Sequence, residues 1–178
     1  KELYQIVLEQ TAFFAESGGQ VGDTGKLIFS DAEIEIIDTK KENDLIIHFA
    51  DDIAPDLSGE VTASVNMLRR KNISIHHSVT HLMHAALRNV LGKHVAQKGS
   101  LVNEEHTRFD FSHFAKMTDQ EITFVEKMVN EKIRENIPVV IRSMGKDEAI
   151  SMGAMALFGE KYADTVRVVI MDPAYSIE

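Results

Sequence analysis

The sequence predicts an α+β protein in two parts: a small antiparallel β-barrel over residues 1–70, then an α+β unit over residues 71–178 with helices packed on an antiparallel sheet. Three observations carry that prediction. Before position 70, short β-like runs alternate with turn residues and no stretch has helical length. After it, apolar residues recur every three or four positions in two long stretches. Around those stretches the pattern returns to short strand-like runs, the arrangement expected when helices lie on a sheet.

In chain order, the β-like runs are YQIVLE, KLIFS, EIEIID, LIIHFA and GEVTASV, separated by turn punctuation at SGG, GDTG, KKEND and APDLSG. Strand following strand in this way reads as a barrel or sandwich. Beyond Arg70, Ile75, Val79, Leu82, Ala86 and Val90 recur at helical spacing and predict an amphipathic helix over residues 73–91, closed by Gly92. The stretch SLVNEEHTRFDFS follows as a hairpin in which Arg108 and Asp110 alternate with Phe109 and Phe111. Thr118 and Glu121 then form a capping-box pattern that opens a second helix, which carries Ile122, Val125, Val129 and Ile133 and is stopped by Pro138. Residues 139–142 and 166–171 are expected strands, with a short helix near 146–152 between them.

Composition narrows the function. With 178 residues, 44% of them hydrophobic, the chain can bury a core without an external staple. It has no cysteine, which excludes disulfides and thiolate metal ligands within the chain and makes the cytoplasm the expected compartment. No apolar run reaches membrane-spanning length, and KELYQIVLEQ at the start has no signal-peptide pattern. A net charge of −9 argues against seizing nucleic acid by bulk electrostatics. Any phosphate contact falls to local clusters, Arg69-Arg70-Lys71 or Lys93, His94 and Lys98, which are also what an ordinary solvated surface carries.

On the first helix His77, His81 and His84 stand at i, i+4 and i+7, so they share one side, with Thr80 beside them. An i, i+4 pair can offer two imidazoles to one zinc ion. Two ligands do not complete a zinc site, and Ser78 stands where the zinc-protease HExxH pattern has its glutamate. Spacing alone therefore leaves open whether these are ligands or ordinary histidines.

The wider context is more specific. The run HHSVTHLMHAALRNVLGKHVAQKGSLVNEEHTRFDFSH resembles the editing domain of alanyl-tRNA synthetases, in which an HxxxH helix leads to a Gln-x-Gly-Ser segment and an Arg-Phe-Asp-Phe strand. TAFFAESGGQVGDTG, NMLRRKNISIHHS and GAMALFGEKYADTVRVV resemble the same family in the same order, and the FGEKY and RFDF stretches look more like the full synthetase than its free-standing editing relatives. His76 departs from the asparagine usual at that position in the family. The family's metal site is completed by a Cys-x-x-x-His segment after a strand resembling YSIE, so the chain is expected to stop before that segment and to hold zinc weakly or not at all.

The resemblance implies hydrolysis of seryl or glycyl esters wrongly attached to tRNA(Ala), with the acceptor end of that tRNA and the rest of the synthetase chain as partners, and neither membrane nor DNA. A pocket shaped for alanine cannot exclude glycine and only weakly rejects one added hydroxyl, so a second sieve is needed. The implied metal ligands are His77 and His81. Thr80 is the candidate reader of the serine hydroxyl, against the alternative that it bonds back to its own helix. Gln97 and Ser100, in an expected QKGS turn, would orient the ester or the water. Gly19 and Gln20 in the glycine-rich segment, with Arg69 and Arg70, are the substrate-binding candidates. Arg108 is expected to pair with Asp110 or to reach a phosphate, the structural pairing first, and His84 to be a spare ligand, a partner that orients a ligand or, as preferred, a satisfied surface residue. A non-catalytic tRNA-docking module, a free-standing editing relative and a zinc hydrolase for some other ester remain the alternatives.

Overall fold

A computed structural model describes residues 3–53, 57, 59–155 and 163–178. The FGEKY stretch, residues 158–162, lies outside the described residues. The chain divides into two compact units, Lys1–His77 with Ser100–Thr107, and Ser78–Gly99 with Arg108–Glu178.

The first unit is built from six short strands: β1 (Tyr4–Val7), β2 (Gly25–Ile28), β3 (Glu33–Ile36), β4 (Asp38–Glu42), β5 (Leu45–Ala50) and β6 (Thr62–Val65). They form two antiparallel three-stranded sheets, β1-β5-β4 and β3-β2-β6. Alternation along β3 buries Ile34 and Ile36 and exposes Glu33 and Glu35. With Ile6, Phe13, Leu27 and Ala50 these residues make the unit's core.

No closed barrel forms among the described residues, which corrects the expected barrel. Ile37 separates β3 from β4, which enter different sheets, and its own N–H bonds Phe49 on β5. The sequence pattern marks strands and turns but not their pairing partners, and closure depends on pairing. β4 is also new, because KKEND was expected to be a turn. Lys40, Lys41 and Glu42 pair with β5, and the turn is confined to Asn43 and Asp44, with Asn43 at φ 54.

Helix α1 (Met67–Leu91) starts six residues earlier than its apolar stripe suggests. Asn66 explains the difference: its side-chain oxygen accepts from the N–H of Arg69, an N-cap that satisfies an otherwise orphaned donor. The stripe also begins at Ile73, which is fully buried, and not at Ile75, which is 51% exposed. The expected stop holds, with Gly92 at φ +116 and its N–H bonded to the Arg88 carbonyl.

In the second unit the C-terminal part of α1 packs Leu82, Ala86 and Leu87 against Val125 and Val129 of α2 (Asp119–Arg134), together with Val95 and Met171. The capping box closes as predicted, Thr118 N–H donating to Glu121 Oε2 and Glu121 N–H to Thr118 Oγ1. The antiparallel sheet runs β11-β10-β9, from β9 (Val139–Gly145), β10 (Thr165–Met171) and β11 (Ser176–Ile177), with the short α3 (Lys146–Ser151) after β9. Strands β7 (Gln97–Val102) and β8 (Thr107–Phe111) pair as a two-stranded ladder. QKGS is therefore strand rather than turn. No helix among the described residues is long and apolar enough to cross a membrane.

Candidate functional site

In the first unit the glycine-rich segment folds into a tight turn. Ser17 and Gln20 exchange both backbone hydrogen bonds around Gly18 and Gly19, which take φ values of 59 and 82 that favour glycine. The turn is fastened to β7, since Val102 N–H donates to the Gly19 carbonyl and Val21 N–H to the Val102 carbonyl. Approach is close enough that a Cβ on Gly19 would stand 2.2 Å from Ser100 Oγ and 2.6 Å from the Ser100 carbonyl oxygen. From this turn Gln20 reaches His77, its amide oxygen 2.7 Å from Nδ1. Four predicted site residues, Gly19, Gln20, Ser100 and His77, thus meet within one unit.

Arg69 and Arg70 are committed elsewhere in the same unit. Arg69 donates to Glu104, whose carboxyl that bond holds below its usual range, and to the Gly22 carbonyl. Arg70 pairs with the buried Asp23 and donates to the Ala12 carbonyl. Both guanidinium groups therefore brace the base of α1. His76, unassigned from sequence, bonds the Asn103 carbonyl through Nδ1 at 2.7 Å.

In the second unit the histidine face of α1 meets a carboxylate that sequence reasoning missed. Glu178 Oε2 lies 2.5 Å from His81 Nδ1, and Oε1 lies 2.8 Å from His84 Nδ1. The backbone places it: Ile177 pairs with Ile170 in the β11–β10 ladder, and Glu178 exchanges both main-chain bonds with Val169. Burial alone would raise the carboxyl's pKa, but the hydrogen bonds and charge of the two histidines hold it down at about 2. A carboxylate at the end of YSIE, 97 residues from His81, carries no local signal beyond strand alternation.

His84 is not the surface residue expected. It is buried, its ring packs 5.0 Å from that of Phe109, and its Nε2 has no hydrogen-bond partner among the described residues. Thr80 is buried in α1, and Gln97 opens β7. Arg108 pairs with Asp110 in the open, as expected. Lys93, His94 and Lys98 are exposed, and His94 stacks on Phe114 at 4.5 Å.

Among the described residues no group of three or more His, Cys, Asp or Glu side chains is arranged to hold a metal ion. The chemistry of the two expected ligands nonetheless suits one. Gln20 and Glu178 each present an oxygen acceptor to Nδ1, at His77 and His81 respectively. In a neutral ring so paired Nδ1 carries the proton and the lone pair falls on Nε2, the atom through which an imidazole so oriented takes a metal.

The family model for class II tRNA synthetases (A) matches residues 1–69. The chain is 54% identical to an alanine–tRNA ligase of Cytophaga hutchinsonii over 100% of its own length and 20% of that protein's. The corresponding enzyme of Parabacteroides distasonis is 56% identical over 95% of the chain and 20% of its own length, and that of Salinibacter ruber 48% over 98% and 18%. The chain thus spans about one fifth of the length of these relatives. Identity of this order over essentially every residue leaves one conclusion: the chain belongs to the alanine–tRNA ligase family.

Proposed function

We propose that this chain is the proofreading part of its family's enzyme, hydrolysing the ester that joins serine or glycine to the terminal ribose of tRNA(Ala). The observation that carries this reading is the pair His77 and His81, one helical turn apart on α1, each with Nδ1 against an oxygen acceptor. A synthetic site for alanine has no need of paired imidazoles prepared in this way. A zinc-dependent hydrolytic site does.

In this reading His77 and His81 would hold zinc, with further donors from the Cys-x-x-x-His segment that the family resemblance adds. When bound, zinc supplies Lewis acidity toward the ester carbonyl or orients water and the ribose hydroxyl. The chain's own residues do the rest. Gln20 fixes the His77 ring while the Gly19 turn brings backbone close to the acceptor end. Ser100 and Gln97, on β7, orient the ester or the water by hydrogen bonding. Water adds to the carbonyl carbon, the ribose oxygen leaves with a proton, and free amino acid and uncharged tRNA result.

Thr80 is the candidate for telling serine from alanine. In this reading its hydroxyl hydrogen-bonds that of serine, a bond that alanine cannot make. Arg69 and Arg70 contribute by bracing α1, since both are engaged by carboxylates and carbonyls of the same unit.

Deacylation of seryl-tRNA(Ala) by the full-length protein tests the reading. Replacing His77 and His81 together by alanine is expected to abolish hydrolysis and leave aminoacylation intact. Undiminished hydrolysis in that double variant would refute the assignment. Loss of tRNA binding without any wild-type hydrolysis would favour the docking module.

A further inference from the structure

Two residues of the second unit, His84 and Glu178, have no role in the proposed reaction, and Glu178 joins His84 to His81. Glu178 is the shared member, with one carboxylate oxygen 2.5 Å from His81 Nδ1 and the other 2.8 Å from His84 Nδ1. A carboxylate has no proton to give, so each Nδ1 must donate, and of the two neutral tautomers each imidazole takes the Nδ1–H form. For His84 this form has a visible consequence. Nε2 is buried without a partner among the described residues, and in the Nδ1–H form it is a lone pair, whereas the other tautomer would bury an unpaired N–H as well as lose the bond to Glu178.

We propose that Glu178 is a positioning residue, clamped by His84 on one oxygen, that presents His81 Nε2 as a metal donor by accepting the Nδ1 proton with the other. The role rests on the zinc-hydrolase reading above. Histidines that ligate metals almost always donate their second ring N–H to a carboxylate, carbonyl or water, and loss of that partner weakens metal binding without removing a ligand. Three features support the clamp over a chance ion pair. Both Glu178 oxygens are used, so its rotation is fixed. Its backbone is tied to Val169 by two hydrogen bonds, so its position is fixed. His84 sits under Phe109 within the second unit, so the anchor is not free to follow solvent.

His77 has a parallel device of different chemistry in the first unit, where the acceptor is the neutral amide oxygen of Gln20. An ionised acceptor strengthens the hydrogen bond and raises the basicity of the imidazole it holds. His81 is therefore the better donor of the pair, and Glu178 the partner whose loss matters more.

Two measurements test this. Long-range 1H–15N NMR correlations on the 178-residue chain, labelled at histidine, read directly which ring nitrogen carries the proton. At pH 8 His81 and His84 are expected as Nδ1–H, with His81 losing that signature in Glu178→Ala. Competition with a chelating dye then gives the zinc affinity of the full-length protein, expected to fall roughly 10- to 100-fold in Glu178→Ala. A wild-type His81 found as Nε2–H overturns the proposal and needs no variant, so it remains refutable even where Glu178→Ala fails to fold. A folded Glu178→Ala protein with zinc affinity unchanged overturns it too. Deacylation on the same proteins separates the two levels of inference. Zinc loss in the variant with no ester hydrolysis by the wild type removes the hydrolase reading and keeps the role of Glu178. Unchanged zinc affinity with normal wild-type hydrolysis removes the role of Glu178 and keeps the hydrolase.

Discussion

Gly18 and Gly19 form a matched pair in which backbone strain and steric contact can be measured apart. Both occupy left-handed φ, 59 and 82, so an alanine at either pays the left-handed penalty of about 1–2 kcal/mol. Only Gly19 adds a collision. A Cβ there would meet Ser100 Oγ at 2.2 Å and the Ser100 carbonyl oxygen at 2.6 Å, whereas around Gly18 nothing lies within 4 Å. Ser100 Oγ can rotate away, but the carbonyl belongs to β7 and cannot move without disturbing the bonds that join the turn to Val102. Overpacking of this kind adds about 1–3 kcal/mol, so Gly19→Ala should cost about 2–5 kcal/mol and Gly18→Ala about 1–2.

Urea unfolding of the three proteins measures the difference, read as a shift in midpoint at unchanged slope. Combining Gly19→Ala with Ser100→Gly removes the nearer obstacle and keeps the carbonyl, so stability should return only in part. Equal losses in the two single variants would refute the packing argument. Recovery in the combined variant to the level of Gly18→Ala would show that Oγ alone was the steric obstacle.

Two further outcomes follow from Asp23 and His48, the buried ionisable groups of the first unit. Asp23 is 2% exposed and paired with Arg70, so Arg70→Ala leaves a buried carboxylate without its cation and should cost about 3–5 kcal/mol in urea unfolding, whereas Arg108→Ala, from a pair with side chains 61% and 47% exposed, should cost no more than about 1 kcal/mol. His48 is fully buried, its Nδ1–H donating to the Ile6 carbonyl and its Nε2 accepting from the Thr11 hydroxyl, and burial lowers its pKa from 6.5. Between the lowered native value and 6.5 the unfolded chain binds a proton that the native one does not, so stability should fall as pH drops below 6.5, by at most about 1.4 kcal/mol per pH unit, and a His48→Gln variant should lose that part of the slope.

What could be read from sequence divides along the range of the interactions concerned. The α2 cap was legible because Thr118 and Glu121 are three residues apart and satisfy each other. The alternation of EIEI was legible because a strand shows one face every second residue. By contrast β4 looks like a turn in isolation, since its lysines face solvent and only pairing to β5 makes it a strand. The start of α1 was hidden for a related reason. Met67 and Leu68 are exposed, so the apolar period is silent there, and the cap at Asn66 alone marks the beginning. Barrel closure was illegible because it depends on which sheet β4 joins after Ile37, and no residue in that stretch advertises its partner.

The candidate site follows the same division, with a chemical consequence. The spacing of His77 and His81 comes from one helix and could be read from four letters of separation. Which ring nitrogen each offers could not, because a tautomer is set by the partner of the other nitrogen. Those partners, Gln20 and Glu178, lie 57 and 97 residues away in sequence. An HxxxH pattern is therefore ambiguous as sequence because its meaning is decided by acceptors elsewhere in the chain. Where the acceptors are oxygens at both Nδ1 atoms, the pair is prepared to give electron density through Nε2. Had they been N–H donors, the same four-residue spacing would describe two histidines that cannot take a metal through that atom.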